Sequence, residues 1–163
     1  MFYYFKNAIK LFIIVFTLIG LNACFNAPTY NSVPEIKFNR WQAKSFPVQM
    51  ADNSSDSLSL YFDFTDGEGD LGDTTTGVTN IFIKDLKTNL IDKYSMDPVP
   101  QNGSVNDISG TIEVKLGPNL LGRCLLPNIS KPIDTTKYEV YIMDRAGNKS
   151  NTIITSEIQF ECK

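Results

Sequence analysis

Between Ser57 and Phe64 apolar and polar residues alternate without interruption: Leu58, Leu60, Phe62 and Phe64 share one parity, and Ser57, Ser59, Tyr61 and Asp63 share the other. A period of two over such a run is the pattern of an antiparallel strand with one side on a core. The same period recurs over residues 35–41, with Ile36 and Phe38 facing one way, and over 108–116, with Ile112, Val114 and Leu116 inward. It returns over 137–143 and again over 151–160. Two shorter runs, 78–84 (VTNIFIK) and 90–94, are rich in β-formers. The run 46–50 carries Pro47, which cannot donate to a ladder and so belongs on an edge or in a connector.

Clusters of Gly, Pro, Asn and Asp separate these runs. They predict a turn over 85–89, a loop over 96–107, a stop at Gly117-Pro118-Asn119 and a polar connection over 127–136. No stretch has a helical period. Short strands with turn signals about every ten residues predict an all-β antiparallel β-sandwich of about seven strands over residues 34–163. Neither an internal repeat nor a low-complexity tract is present.

The chain has 163 residues, 42% of them hydrophobic and 12% aromatic, which suffices for one packed domain. Net charge is −3 with a pI near 4.9, and the 15 basic residues are scattered, so no face is built for nucleic acid. Histidine is absent altogether. That removes Ser-His-Asp and Cys-His triads, histidine zinc sites and a histidine general base. Paired carboxylates could still hydrolyse a glycosidic bond, but here they lie in a Gly-rich, mobile-looking loop rather than on facing rigid elements. No residue is therefore assigned a catalytic role.

The first residues have the composition of a targeting segment. Lys6 and Lys10 precede an apolar run, Leu11 to Leu21, that is short for a membrane span. The sequence Leu21-Asn22-Ala23-Cys24 that follows resembles the lipobox of bacterial lipoproteins, with Asn22 standing where a small or apolar residue is usual. The resemblance implies a signal peptide over 1–23 and lipidation of Cys24. Several acyl chains would make anchoring permanent. Residues 24–33, with Pro, Asn and Ser and no periodicity, would form the lipidated N-terminus and tether. Phe25 after the cysteine, where an Asp would signal inner-membrane retention, makes the outer membrane of a Gram-negative envelope the expected location.

The segment YEVYIMDRAGNKSN at 138–151 resembles the last two strands of immunoglobulin-like or fibronectin-III-like modules of bacterial envelope proteins. FDFTDGEGDLGD at 62–73 resembles the acidic loop of small single-domain lipoproteins that carry such modules. Together they imply an Ig-like sandwich.

Five carboxylates fall within residues 63–73, interleaved with Gly67, Gly69 and Gly72. Glycines let such a loop fold back on itself, and like charges brought together favour a hard cation. In an Ig-like sandwich this loop and the loop between the last two strands meet at one end. A single Ca²⁺ site is therefore predicted, with Asp66, Glu68, Asp70 and Asp73 from the first loop, Asp63 just below, and Asp144 with the Asn148 carbonyl from the second. It is not an EF-hand, since Gly77 stands where the bidentate glutamate would be needed. With Cys24 modified, Cys124 and Cys162 remain as two thiols outside the cytosol and are expected to pair. Two functional classes follow: a lipid-anchored binding or structural module that contacts an envelope protein or a glycan through its loops, or an accessory or enzyme acting on envelope carbohydrate, with Trp41 and Tyr61 as stacking platforms.

Overall fold

The computed structural model describes residues 29–50, 58–99, 107–116 and 133–162. Ten strand segments run through them: β1 (Glu35–Gln42), β2 (Val48–Met50), β3 (Leu58–Asp66), β4 (Ile81–Asp85), β5 (Ile91–Tyr94), β6 (Ile108–Leu116), β7 (Ile133–Thr136), β8 (Tyr138–Ile142), β9 (Ile153–Ile154) and β10 (Ile158–Cys162). No helix occurs among the described residues. The protein is an all-β sandwich.

One sheet has the order β1-β3-β6, with both pairings antiparallel. Opposite it stand β5-β4-β8-β9 and β2-β10-β7. These last two form one surface, because β7 and β8 are separated by Lys137 alone, and β9 and β10 by Thr155 to Glu157. In effect 133–142 and 153–162 are two long strands of one antiparallel hairpin. Across the break the register slips by one, from Glu139↔Ile154 to Thr136↔Ile158. Thr155 spans the slip: its amide donates to the Tyr138 carbonyl at 2.9 Å and its hydroxyl accepts from the Tyr138 amide at 3.0 Å. With the short edge strand β2 set aside, the segments counted as continuous strands reduce to seven, three against four. β2, after Pro47, pairs parallel with β10 at the sheet edge, the place a proline-bounded strand can take.

The core is a single cluster drawn from the facing sides. Leu58, Leu60 and Phe62 of β3 are fully buried, as are Ile83 of β4 and Tyr138, Val140 and Ile142 of β8. Two sequence expectations are corrected. Residues 133–136 are a strand rather than part of a polar connection, because they continue β8 and find β10 as a partner. The last strand is interrupted at the register slip rather than continuous from 151 to 160. A third feature escaped the period: the ladder shifts between Phe38 and Arg40, so Trp41, of opposite parity to Ile36 and Phe38, also packs against the core. Its indole donates to the Ser156 carbonyl at 3.1 Å and meets Tyr138 edge-on.

Between the two sheets, Asn151 acts as a piece of strand. Its side-chain oxygen accepts from the Ile36 amide at 2.7 Å, and its side-chain nitrogen donates to the Ile36 carbonyl at 2.9 Å. The start of β1 is thereby fixed to the closing hairpin.

Candidate metal centre

The inward series of β3 is Leu58, Leu60, Phe62, Phe64 and then Asp66; that of β8 is Tyr138, Val140, Ile142 and then Asp144. Parity alone thus carries an aspartate to the same end of each facing core stripe, and both are buried, at 0% and 8% exposure. Antiparallel pairing of β4 with β8 and of β3 with β6 sets this pole opposite the 86–89 turn.

The loop after β3 is pinned rather than mobile. Leu71 is fully buried, its carbonyl accepts from the Val99 amide, and the Asp73 amide donates to the Met96 carbonyl at 3.0 Å. Gly72 adopts a φ of 79°, and a Cβ there would collide with the Asp97 carbonyl. Asp66 organises the loop from beneath, accepting from the amides of Asp70 at 3.0 Å and Glu68 at 3.4 Å. Asp70 then reaches across to the second loop. Its Oδ2 accepts from the Ala146 amide at 3.0 Å, its carbonyl accepts from the Arg145 amide at 3.3 Å, and Arg145 Nη1 donates to the Gly72 carbonyl at 3.1 Å. Asp144 shapes that second loop by accepting from the Asn148 amide at 2.7 Å and from its side-chain nitrogen at 2.9 Å.

Glu68, Asp70 and Asp144 come together as a result, one carboxylate oxygen of each lying within 4.8 Å of the others. Asp70 Oδ1 is buried there and accepts no hydrogen bond. Burial pushes the Asp66 carboxyl above the ordinary carboxylate range against its two amide bonds, and the charges of Asp70 and Asp144 push the same way. The pole therefore concentrates negative charge, with Asp66 and Asp144 buried, Asp70 half-buried and Glu68 exposed at its rim. Its donors are all oxygen, set by two loops more than seventy residues apart in sequence.

The other residues expected in the set lie elsewhere. Asp63, on the outer parity of β3, accepts from Asn39 Nδ2 at 2.8 Å and Thr111 Oγ1 at 2.7 Å. Those bonds hold its carboxyl below the ordinary range. Asp73 turns away to accept from the Thr75 amide at 2.7 Å. The Asn148 carbonyl accepts from the Asp144 amide at 3.2 Å, closing the turn. Glu68, Asp70 and Asp144 fit a cation; Asp66 supports them from behind. Cys24, Cys124 and the Cys162 side chain lie outside the described residues, and so do the lipid anchor and the expected disulfide.

Neither aromatic proposed for sugar stacking is an open platform. One face of Tyr61 carries the Arg40 guanidinium, 4.0 Å from the ring centre, and Trp41 is edged by Phe38 and Tyr138. On the outer face of the second sheet Phe82 and Tyr141 stack on each other at 4.7 Å, with Lys149 over Tyr141 and Lys93 beside Phe82. Ring faces there are occupied by neighbours. Comparison with family models, with curated proteins and with solved structures finds no match.

Proposed function

We propose that this chain is a lipid-anchored envelope protein whose sandwich is a non-catalytic binding or structural module, stabilised by Ca²⁺ at the pole where the acidic loop meets the closing hairpin. The observation that carries the reading is the convergence of Glu68 and Asp70 with Asp144, at the ends of two facing core stripes. A hard cation of flexible coordination suits three carboxylates, one of which has a buried, unpartnered oxygen, better than a transition metal, which would select nitrogen or sulfur. Glu68, Asp70 and Asp144 would hold the ion, with water completing the ~6 to 8 oxygens calcium takes. The cation would offset repulsion that the folded pole otherwise carries, so its role is structural. Arg40 over one face of Tyr61 and the packing of Trp41 against Phe38 and Tyr138 leave little open ring for sugar, which supports protein contact over sugar stacking.

Affinity in the range of extracellular modules, about 0.1 to 1 mM, is expected. At ~1 mM calcium and a ~0.1 mM dissociation constant, linkage stabilises by about 1.4 kcal/mol, or several degrees in melting temperature. Melting curves in EDTA and in millimolar calcium should differ by that amount, and magnesium should substitute poorly. Superimposed curves would refute the calcium role. The anchor is tested separately, by feeding expressing cells a clickable palmitate: wild type should take up label and Cys24→Ala should not.

A further inference from the structure

The residues just upstream of β1 are not a free tether: Tyr30 and Asn31 are bonded into the carboxylate pole. The Gly67 amide, between Asp66 and Glu68, donates to the Asn31 carbonyl at 2.7 Å. The Tyr30 amide donates to Asp107 Oδ1 at 2.6 Å, and the Tyr30 hydroxyl lies 3.3 Å from Ser109 Oγ, at the start of β6. Gly67 is shaped for the contact, since a Cβ there would run into the Tyr30 carbonyl. The strap thus joins the acidic loop to the neighbouring strand before the chain enters β1.

We infer that this strap orients the anchored sandwich, holding the carboxylate pole toward the lipid surface and presenting the 86–89 pole and the sheet faces outward. The inference rests on the proposed lipidation of Cys24. Five residues separate Cys24 from Tyr30, so the strap can lie no more than about 20 Å from the lipidated residue, whatever path they take. Were the first fixed point Ile36, held by Asn151, the reach would be about 40 Å and either pole could face the membrane. The nine residues of β3 separate the poles by roughly 30 Å. A reach shorter than the domain is long selects one pole. The partner at that pole is the lipid surface itself, and a protein partner would be met by the opposite pole or the sheet faces.

Orientation can be read by fluorescence. The lipidated full-length product, carrying a genetically encoded fluorophore at Ala146 (near pole) or at Leu90 (far pole), is reconstituted into phosphatidylethanolamine–phosphatidylglycerol vesicles that contain a headgroup quencher. Both sites are exposed. Quenching at 146 should exceed that at 90 several-fold. The double variant Asp107→Ala/Ser109→Ala removes the strap's side-chain partners without touching the acidic loop and should bring the two signals closer together, and Gly67→Val, which displaces the strap at its backbone contact, should do the same. Lipid-labelled protein with equal quenching at both sites would overturn the strap alone, as would a difference that survives in both strap variants. Failure of Cys24 to take up lipid would overturn the anchor and the strap together.

Discussion

Asp63 and Asp66 stand three residues apart on β3, and their surroundings are opposite. Asp63 is on the outer face, served by Asn39 and Thr111, with its carboxyl held down by those bonds. Asp66 is on the inner face, fully buried at the end of the core stripe, with its carboxyl pushed up by burial and by the charges of Asp70 and Asp144. One is an ordinary solvated strand residue; the other lies under a crowded carboxylate pole. What separates them is parity. A step of three along a strand changes the face, so carboxylates that look equivalent in a list of acidic residues are sorted by the pleat into different chemistry.

The largest test of this sorting is on the same strand. Phe62→Ala, on the inner face, should cost about 3 to 5 kcal/mol, whereas Tyr61→Ala, on the outer face, should cost less than about 1 kcal/mol. Urea denaturation of the two variants measures the contrast. The two loops of the pole should also differ. Gly72→Ala places a Cβ against the Asp97 carbonyl as well as at positive φ, for about 2 to 3 kcal/mol. Gly147→Ala meets open space at a φ of 87°, leaving only the backbone term of about 1 kcal/mol.

Asp70→Asn sharpens the comparison in the other direction. An amide at the unpartnered Oδ1 position could donate to Glu68 or Asp144 and would remove a charge, so in calcium-free buffer the variant should melt a few degrees above wild type, on the order of 1 kcal/mol. Asp63→Asn should show no such gain, since its Oδ1 already serves Asn39 and Thr111 and the substitution only weakens those bonds by removing the charge.

The smallest effect is the pH dependence. A carboxyl held low, as in Asp63, contributes stability that is present above the ordinary carboxylate range and lost as pH falls through its lowered pKa. Asp66 does the reverse: with its pKa raised, the folded state binds the proton more tightly, so its contribution is fullest below the ordinary range and declines as pH rises through the raised value. Asp63→Asn should therefore flatten the acid limb of the stability profile, and Asp66→Asn should remove a decline above pH ~4 in calcium-free buffer. Denaturation midpoints measured across pH read both.

Much of this was legible in the chain. The alternation over 58–64 and 108–116 places Leu58, Leu60, Phe62 and Phe64 of β3 and Ile112, Val114 and Leu116 of β6 on the core face, as found, because an antiparallel sheet with one face on a core favours that reading of the period. The meeting of the acidic loop with the 144–148 turn follows from strand order. Three things were hidden. The register shift near Asn39 changes the parity that turns Trp41 toward the core, and no local signal marks it. β7 has two threonines and an aspartate and exists through its partner β10, a pairing across a stretch that reads as polar connection. Charge and loop position select too many ligands, although parity already excludes Asp63, and Leu71 between Asp70 and Gly72 is the one sign in the sequence that the loop is pinned to the core.

The proposed cation sits at the inner pole and none at the outer face. An NMR titration of the folded domain with Ca²⁺ tests it most directly. Saturable shifts, with a dissociation constant of about 0.1 to 1 mM, should be confined to the amides of Gly67 to Asp70 and Asp144 to Asn148, persist in Asp63→Asn and vanish in Asp70→Asn/Asp144→Asn. Shifts that are absent, or that centre on Asn39, Asp63 and Thr111, would contradict it.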